Sequence, residues 1–573
     1  MMFRSLFSLG LLLLALSLGL LGLPENLASE PSKAETPRLI VLVYIDQLRG
    51  DYLTRWDSMF GEGGFHRLEK DGAWFQNCHY PYSDTVTAAG HASVATGCSP
   101  RTHGIIGNEW YDRSAGASAY CVSSERYRRV PPAALRGETE KDKKKAKGVS
   151  PERLLAPTIG DALKQATGGK GRVVSLSLKD RSAVLPAGQR PDACYWLELS
   201  TGQFVTSTYY RDALHSWVAN FNRSGVIDAW MGKNWTRVRE RVDYEKNSGP
   251  DDAAGEGTPL FARTFPHALG SLGGLNVKAA YYGALYNSPF GNDVLLALAR
   301  RAIEAEQLGK HDQPDLLCVS FSSNDAIGHC WGPDSQEVLD VTLRTDIIVR
   351  ELLVTLDRQV GKGHYLLVLT ADHGVCPLPE ATRRRGDAAL RINTTTLLKK
   401  AGVHLSATFH VPAEDNRWLE TNGAPWLYLN RALLARRHLK QSEVEAALAG
   451  WLARQPGILR AYTRSQLLAG IPAEDAIGQK VLRSFFPERS GDVCLIVKPN
   501  YLLTTWLTGT NHGTPHAYDT HVPLLVYGAG VRPGVRREAV TPLAAAGILA
   551  RAIGIKPPAK AAVEVPADLF LPR

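Results

Sequence analysis

One threonine, three aspartates and three histidines in this 573-residue chain could together build a metal-dependent catalytic site. Thr87 lies in the stretch 83–97, SDTVTAAGHASVATG. Ala88 to Val94 predict a short helix that stops at Gly97, since glycine commonly follows a helix, so Thr87 stands at the helix start. A threonine there usually serves as an N-cap. It could also be a nucleophile, because the positive end of the helix dipole favours an anion. A threonine alkoxide is hard to form at neutral pH without a metal ion or a base. Candidate metal ligands occur elsewhere in the chain. Asp325 and His329 have the i, i+4 spacing that would put both on one face of a helix. Asp372 and His373 close an apolar run, Asp46 closes another, and His512 sits in GTNHGT. Each pair alone is weak evidence, since Asp/His pairs at such spacings are common on surfaces and in cores. Taken with Thr87, they supply the oxygen and nitrogen ligand types that two zinc ions accept.

Apolar runs must carry these residues. The segments 37–45 (PRLIVLVYI), 315–321 (DLLCVSF) and 364–370 (HYLLVLT) are continuous and predict buried parallel strands. The segment 172–178 (RVVSLSL) alternates and predicts a strand leading into Lys179-Asp180-Arg181, and 522–527 (VPLLVY) predicts another. Helical patterns cover parts of 50–70, then 154–166, 335–360, 442–454 and 540–553. Strands alternating with helices predict an α/β fold with a mainly parallel central sheet and helices on both faces. Ligands of such sheets sit beyond the carboxyl ends of the strands. Asp46 and Asp372 fall at those ends, and Asp325 follows closely after one. The polar, lysine-rich stretch 131–150 reads as a loop insertion. The stretch 377–492 mixes short strands with a helix and reads as an inserted α+β cap. That leaves a core in two parts, 36–376 and 493–573.

The length exceeds what one core usually holds, which agrees with a large domain carrying an insertion. The net charge is +9, with local excess in Lys141 to Lys147 and Arg383 to Arg385. Such runs are usually solvated, and neither has the interleaved aromatics of a nucleic-acid surface, so no nucleic-acid partner is indicated. None of the eight cysteines forms a C-x-x-C pair, which argues against a zinc ribbon or thioredoxin-like motif. Arg4 precedes an uncharged leucine-rich run, 6–23. Residues 1–28 read as a secretory signal peptide cleaved near Ala28, with an uncleaved anchor as the alternative. A periplasmic or secreted location is expected, with no membrane span in the mature chain and a monomeric state.

As a set, these motifs resemble the alkaline phosphatase superfamily, in the branch that includes nucleotide pyrophosphatase/phosphodiesterases. The chain looks most like the phosphate-irrepressible monoesterases of that branch. The matching stretches are VLVYID ending at Asp46, TVTAAGHASVATG around Thr87, HGIIGN ending at Asn108 and SLKDR with Lys179 and Arg181. SNDAIGH, TADHG and NHGTPHAYDTHVPLL follow in the family's order and contain Asp325, His329, Asp372, His373 and His512. The resemblance implies two zinc ions, one held by Asp325, His329 and His512, the other by Asp46, Asp372, His373 and the Thr87 oxygen. It implies that Asn108, Lys179 and Arg181 bind the phosphoryl group. His91, His103, His516 and His521 are assigned no ligand role.

The implied reaction is an in-line displacement by Thr87, with two metals about 4 Å apart clamping the attacking and leaving oxygens. Two zinc ions are neutralised by three aspartates and a threonine alkoxide. Lys179 and Arg181 then leave about two positive charges, which suits a phosphate monoester dianion better than a diester monoanion. A phosphodiesterase or nucleotide pyrophosphatase on the same site is the alternative. The threonine argues against a sulfatase, and the export signal and threonine argue against a phosphoglycerate mutase. A non-catalytic zinc protein would be expected to close its metal with four Cys or His ligands.

Overall fold

The structure, a computed structural model, describes residues 36–132, 147–258, 260–270, 277–412, 417–421 and 423–572. The expected signal peptide and most of the lysine-rich insertion lie outside these residues. The chain forms an α/β fold around an eleven-stranded mixed sheet flanked by helices. At its centre, Tyr365–Thr370, Leu39–Ile45, Asp315–Phe321, Val173–Ser177 and Ala193–Glu198 run side by side and parallel. Every residue of Leu39–Ile45, Asp315–Phe321 and Tyr365–Thr370 is buried. That is what continuous apolar runs require when both faces of a strand are covered.

The flanks depart from the parallel pattern. Leu524–Gly528 pairs antiparallel with Tyr365–Thr370, and Gln203–Ser207 pairs antiparallel with Ala193–Glu198. The continuous parallel block is therefore the central five strands, with one more parallel pair, Ala73–Phe75 and Gly534–Arg536, at the edge. Among the described residues, no helix is long and apolar enough to cross a membrane.

Register then fixes the site's floor. Tyr44 lies opposite Thr370, Ile45 opposite Phe321, and Ser177 opposite Ser320. Asp46, Asp372, Asp325 and Lys179 all follow those strand ends within a few residues. They gather at one edge of the sheet, where Asp46 N–H still bonds to Phe321 O at 2.9 Å.

The region beyond Pro377 has a sheet and an apolar core of its own. Its three strands are Trp426–Leu427, Val493–Val497 and Ile458–Thr463, backed by the helices Thr394–Phe409 and Gln441–Leu452. Val493–Val497 thus pairs with Trp426–Leu427 and Ile458–Thr463, rather than returning to the main sheet as the expected boundary at 493 requires. Tyr501–Thr504 likewise pairs with Leu390–Asn393. The first strand of the main sheet after this region is Leu524–Gly528.

Candidate active site

Thr87 is the first residue of the helix Thr87–Thr96, and Val86, not Thr87, occupies the N-cap position. All ten helical residues are buried, and the helix ends at Gly97 with φ 73°. Small residues let it sit directly on the strand end. A β-carbon at Gly90 would lie 2.2 Å from the Asp372 carbonyl oxygen. Asn108 Oδ1 accepts a hydrogen bond from Ala88 N–H at 2.9 Å. This satisfies one of the free amides of the first turn and leaves the Asn108 Nδ2 donor for other partners.

Thr87 Oγ1 lies 3.4 Å from His373 Nε2. The same nitrogen is 3.5 Å from Asp46 Oδ1 and 3.4 Å from Asp372 Oδ2. Asp325 and His329 share one face of the helix Ser323–Trp331, with His329 Nε2 3.1 Å from Asp325 Oδ1. His512 arrives on a loop, its ring stacked on His373 at 3.5 Å and its Nε2 3.7 Å from Asp325 Oδ1. The seven expected ligands therefore converge.

The three histidines are oriented alike. His329 Nδ1 bonds to Thr510 O at 2.8 Å, His373 Nδ1 to Gly374 O at 2.9 Å, and His512 Nδ1 to Thr85 O at 2.8 Å. A backbone carbonyl on Nδ1 fixes the ring and the tautomer and leaves Nε2 as the ligating atom.

The donor set fits bound metal ions. Ligand atoms of Asp46, Asp372 and His373 lie within 4.8 Å of one another, as do those of Asp325, His373 and His512. His373 thus reaches both groups, whereas the resemblance gave it to one. Asp46 Oδ1 and Asp372 Oδ2 are buried without a hydrogen-bond partner. His91 Nδ1 lies 3.2 Å from Asp372 Oδ2 without a hydrogen bond, and two unbonded carboxylate oxygens in a buried cluster of nitrogen and oxygen donors call for a cation.

The electrostatics agree. Burial, and then the Asp372 charge, raise the Asp46 carboxyl well above its ordinary range. Burial would also raise Asp325, but His329 and Lys179 outweigh it and hold the group well below the ordinary range. At Asp372 burial is likewise overcome, by His373 and His91. Burial and the neighbouring His373 and His329 push His512 well down, which favours the neutral imidazole that ligates.

Lys179 Nζ donates to Asp46 Oδ2 and Asp325 Oδ2, both at 2.6 Å. Burial would lower its pKa, but Asp325 and Asp46 outweigh that and keep it charged. The i, i+2 spacing of Lys179 and Arg181 would put both side chains on one side of an extended segment, but the extended backbone does not reach that far. Lys179 is extended, but a helix begins at Asp180, so Arg181 lies in its first turn. Its guanidinium donates to Tyr120 O–H at 3.3 Å, and Tyr120 O–H donates in turn to Asp180.

Two participants escaped sequence reading. Gln47 follows Asp46 in a left-handed conformation, φ 69°. Its backbone N–H donates to Asp372 Oδ1 at 3.1 Å, while its side-chain amide donates to Asp325 Oδ1 at 2.6 Å. One residue therefore ties the two ligand groups together, through a backbone shape that non-glycine residues adopt rarely. The only available signal was its place directly after Asp46. Tyr120 is the second, and an ordinary strand tyrosine in sequence. His91 supports rather than ligates. Its Nδ1 lies 2.8 Å from Thr87 O, its Nε2 2.7 Å from Ser320 Oγ, and its ring stacks on Tyr44.

All eight cysteines are free thiols, seven of them buried.

A mixed α/β sheet whose carboxyl edge gathers a threonine, aspartates and histidines fits a hydrolase of the alkaline phosphatase superfamily with a metal-binding site. The profile of the type I phosphodiesterase/nucleotide pyrophosphatase family matches residues 40–519. The chain belongs to that family, in the branch that includes PafA and PhoV. It is 34% identical to alkaline phosphatase PafA of Elizabethkingia meningoseptica over 525 residues, 90% of this chain and 92% of that one. It is also 34% identical to alkaline phosphatase PhoV of Synechococcus elongatus over 513 residues, 88% of each chain. The crystal structure of wild-type PafA superposes with a TM-score of 0.83 at 32% identity, covering 94% of this chain and 99% of that one.

Proposed function

We propose that this protein is an exported phosphatase that hydrolyses phosphate monoesters, with Thr87 as the nucleophile. The observation that carries the reading is Thr87 Oγ1 lying 3.4 Å from His373 Nε2, beside buried carboxylates with uncommitted oxygens. Two zinc ions, one at Asp46, Asp372 and His373 and one at Asp325, His329 and His512, would supply the Lewis acidity that favours a threonine alkoxide and charge on the departing oxygen.

The chain's own residues do the rest. Thr87 Oγ1 attacks phosphorus as the bond to the ester oxygen breaks, which leaves phosphothreonine. Water then displaces Thr87 and releases phosphate. Each displacement inverts phosphorus, so the overall outcome is retention. Asn108 Nδ2 donates to a phosphoryl oxygen from its place at the helix start. Lys179 and Arg181 neutralise the phosphate, with the Asp180–Tyr120 pair orienting Arg181.

Preference for monoesters is supported by these two cations and by the alkaline phosphatase names of PafA and PhoV. The family's description supports the second reading, a phosphodiesterase or nucleotide pyrophosphatase. Export is supported by the leucine-rich run at 6–23.

The test is kcat/KM for an aryl phosphate monoester and for its methyl diester, with metal content measured on the same sample. A large preference for the monoester with two zinc ions per chain is expected. A diester preference would overturn the monoesterase reading, and full activity without bound metal would overturn the metal site.

A further inference from the structure

We propose that Trp506, with Leu507 beside it, forms an apolar platform for the leaving group, which selects monoesters of aromatic alcohols such as phenols. The inference rests on the phosphomonoesterase reading and adds to it a substrate class.

In an in-line displacement the departing oxygen points away from the nucleophile. On the proposed reading Thr87 attacks from the side of Asp46 and Asp372, so the departing oxygen is received on the side of Asp325 and His329. Trp506 stands next to that group. Its ring centroid is 6.0 Å from that of His329, the planes crossing at 86°. Among the described residues, Trp506 is the one tryptophan the fold leaves exposed, at 51%, and Leu507 is 89% exposed.

The loop that carries them is firmly held. Trp506 N–H bonds to Thr504 Oγ1 at 2.9 Å. Gly509 N–H bonds to Gly255 O at 2.7 Å, and Thr510 N–H to His329 O at 2.8 Å. Thr510 Oγ1 donates to Cys376 O at 2.7 Å. Gly509 has φ 75°, and a β-carbon there would lie 2.4 Å from His329 O, so the turn needs glycine. The backbone that carries the exposed indole is thus held at the rim of the site. Two adjacent large apolar side chains exposed at the rim of a polar site offer a patch on which a ligand can lie. An indole offers a flat face for stacking an aromatic ring.

The test compares phenyl phosphate with methyl phosphate as substrates of wild-type protein, Trp506→Ala and Trp506→Phe. Trp506→Ala should lower kcat/KM for phenyl phosphate about threefold to tenfold and for methyl phosphate far less, while Trp506→Phe retains most of the phenyl phosphate activity. Equal losses on both substrates, or a loss on neither, would overturn the proposal. A second measurement does not depend on turnover. Phenylphosphonate, which has no ester bond to break, is titrated against tryptophan fluorescence. Part of the quench should vanish in Trp506→Phe, and identical quenching in both proteins would overturn the platform. A Trp506-dependent quench in a protein that hydrolyses no monoester would leave the platform standing and remove the phosphomonoesterase reading.

Discussion

The two ligand groups of the site are built in different ways. Asp46, Asp372 and His373 stand directly on the ends of adjacent central strands, and their side chains are completely buried. Asp325, His329 and His512 come from a helix and a loop, and the His329 side chain is 24% exposed. The first group inherits its geometry from the sheet, because neighbouring parallel strands leave little freedom at their ends. The second depends on local supports: a helical turn, the Thr510 and Thr85 carbonyls, and the Gln47 amide. On the proposed mechanism the rigid, strand-borne group faces the nucleophile, and the helix-and-loop group faces the leaving group and solvent. A leaving group varies between substrates, whereas the attacked phosphorus does not.

The largest effect should come from the rigid side. Thr87→Ala should lower monoester kcat/KM about a thousandfold or more, read by steady-state kinetics, with metal content unchanged. Near wild-type turnover in Thr87→Ala would remove the nucleophile reading, whether or not the metal content falls.

Lys179 touches both groups. Lys179→Ala should cost about a hundredfold on an aryl monoester and much less on its methyl diester. Equal losses would remove the electrostatic argument for monoesters.

Gln47 separates the two sides more finely. Gln47→Ala removes the side-chain bond to Asp325 but keeps the backbone bond to Asp372. It should weaken zinc about tenfold to a hundredfold at the Asp325 side alone. Zinc titration should therefore change from two similar binding events to one tight and one weak. Equal weakening of both would show that the backbone kink, not the amide, is what matters.

The smallest effect concerns pH. Asp84, three residues before Thr87, accepts from Trp426 Nε1 at 2.6 Å, and burial pushes its carboxyl up from 3.8 to about 7. The folded state therefore holds a proton that the unfolded state has released. The stability this proton contributes is complete below about pH 4 and is lost as pH rises through about 7. Asp84→Asn should flatten that decline, measured by chemical denaturation at pH 5 and pH 8. An unchanged slope would show that Asp84 is already ionised in the folded protein.

The contrast between the two groups also explains what could be read in advance. Asp46 and Asp372 were legible because continuous apolar runs end at them, and run ends in a parallel sheet form one edge. Asp325 and His329 were legible through helical spacing. Gln47 was not, because an amide has no ligand signature and its role arises from a φ of 69°. Arg181 was misplaced because the segment after Val173–Ser177 turns helical at Asp180. The helix expected over 154–166 starts only at Ile159, where Thr158 and Asp161 form a capping box after Pro157. Val493–Val497 was legible as a strand, but an apolar run does not name its partner.

The most direct test of the account is to quench the enzyme in acid during turnover of an aryl monoester and map phosphate by mass spectrometry. One phosphoryl group on Thr87, absent without substrate and absent in Thr87→Ala, is the predicted result. Rapid turnover with phosphate on another residue, or on none under conditions where the second displacement is slow, would contradict it.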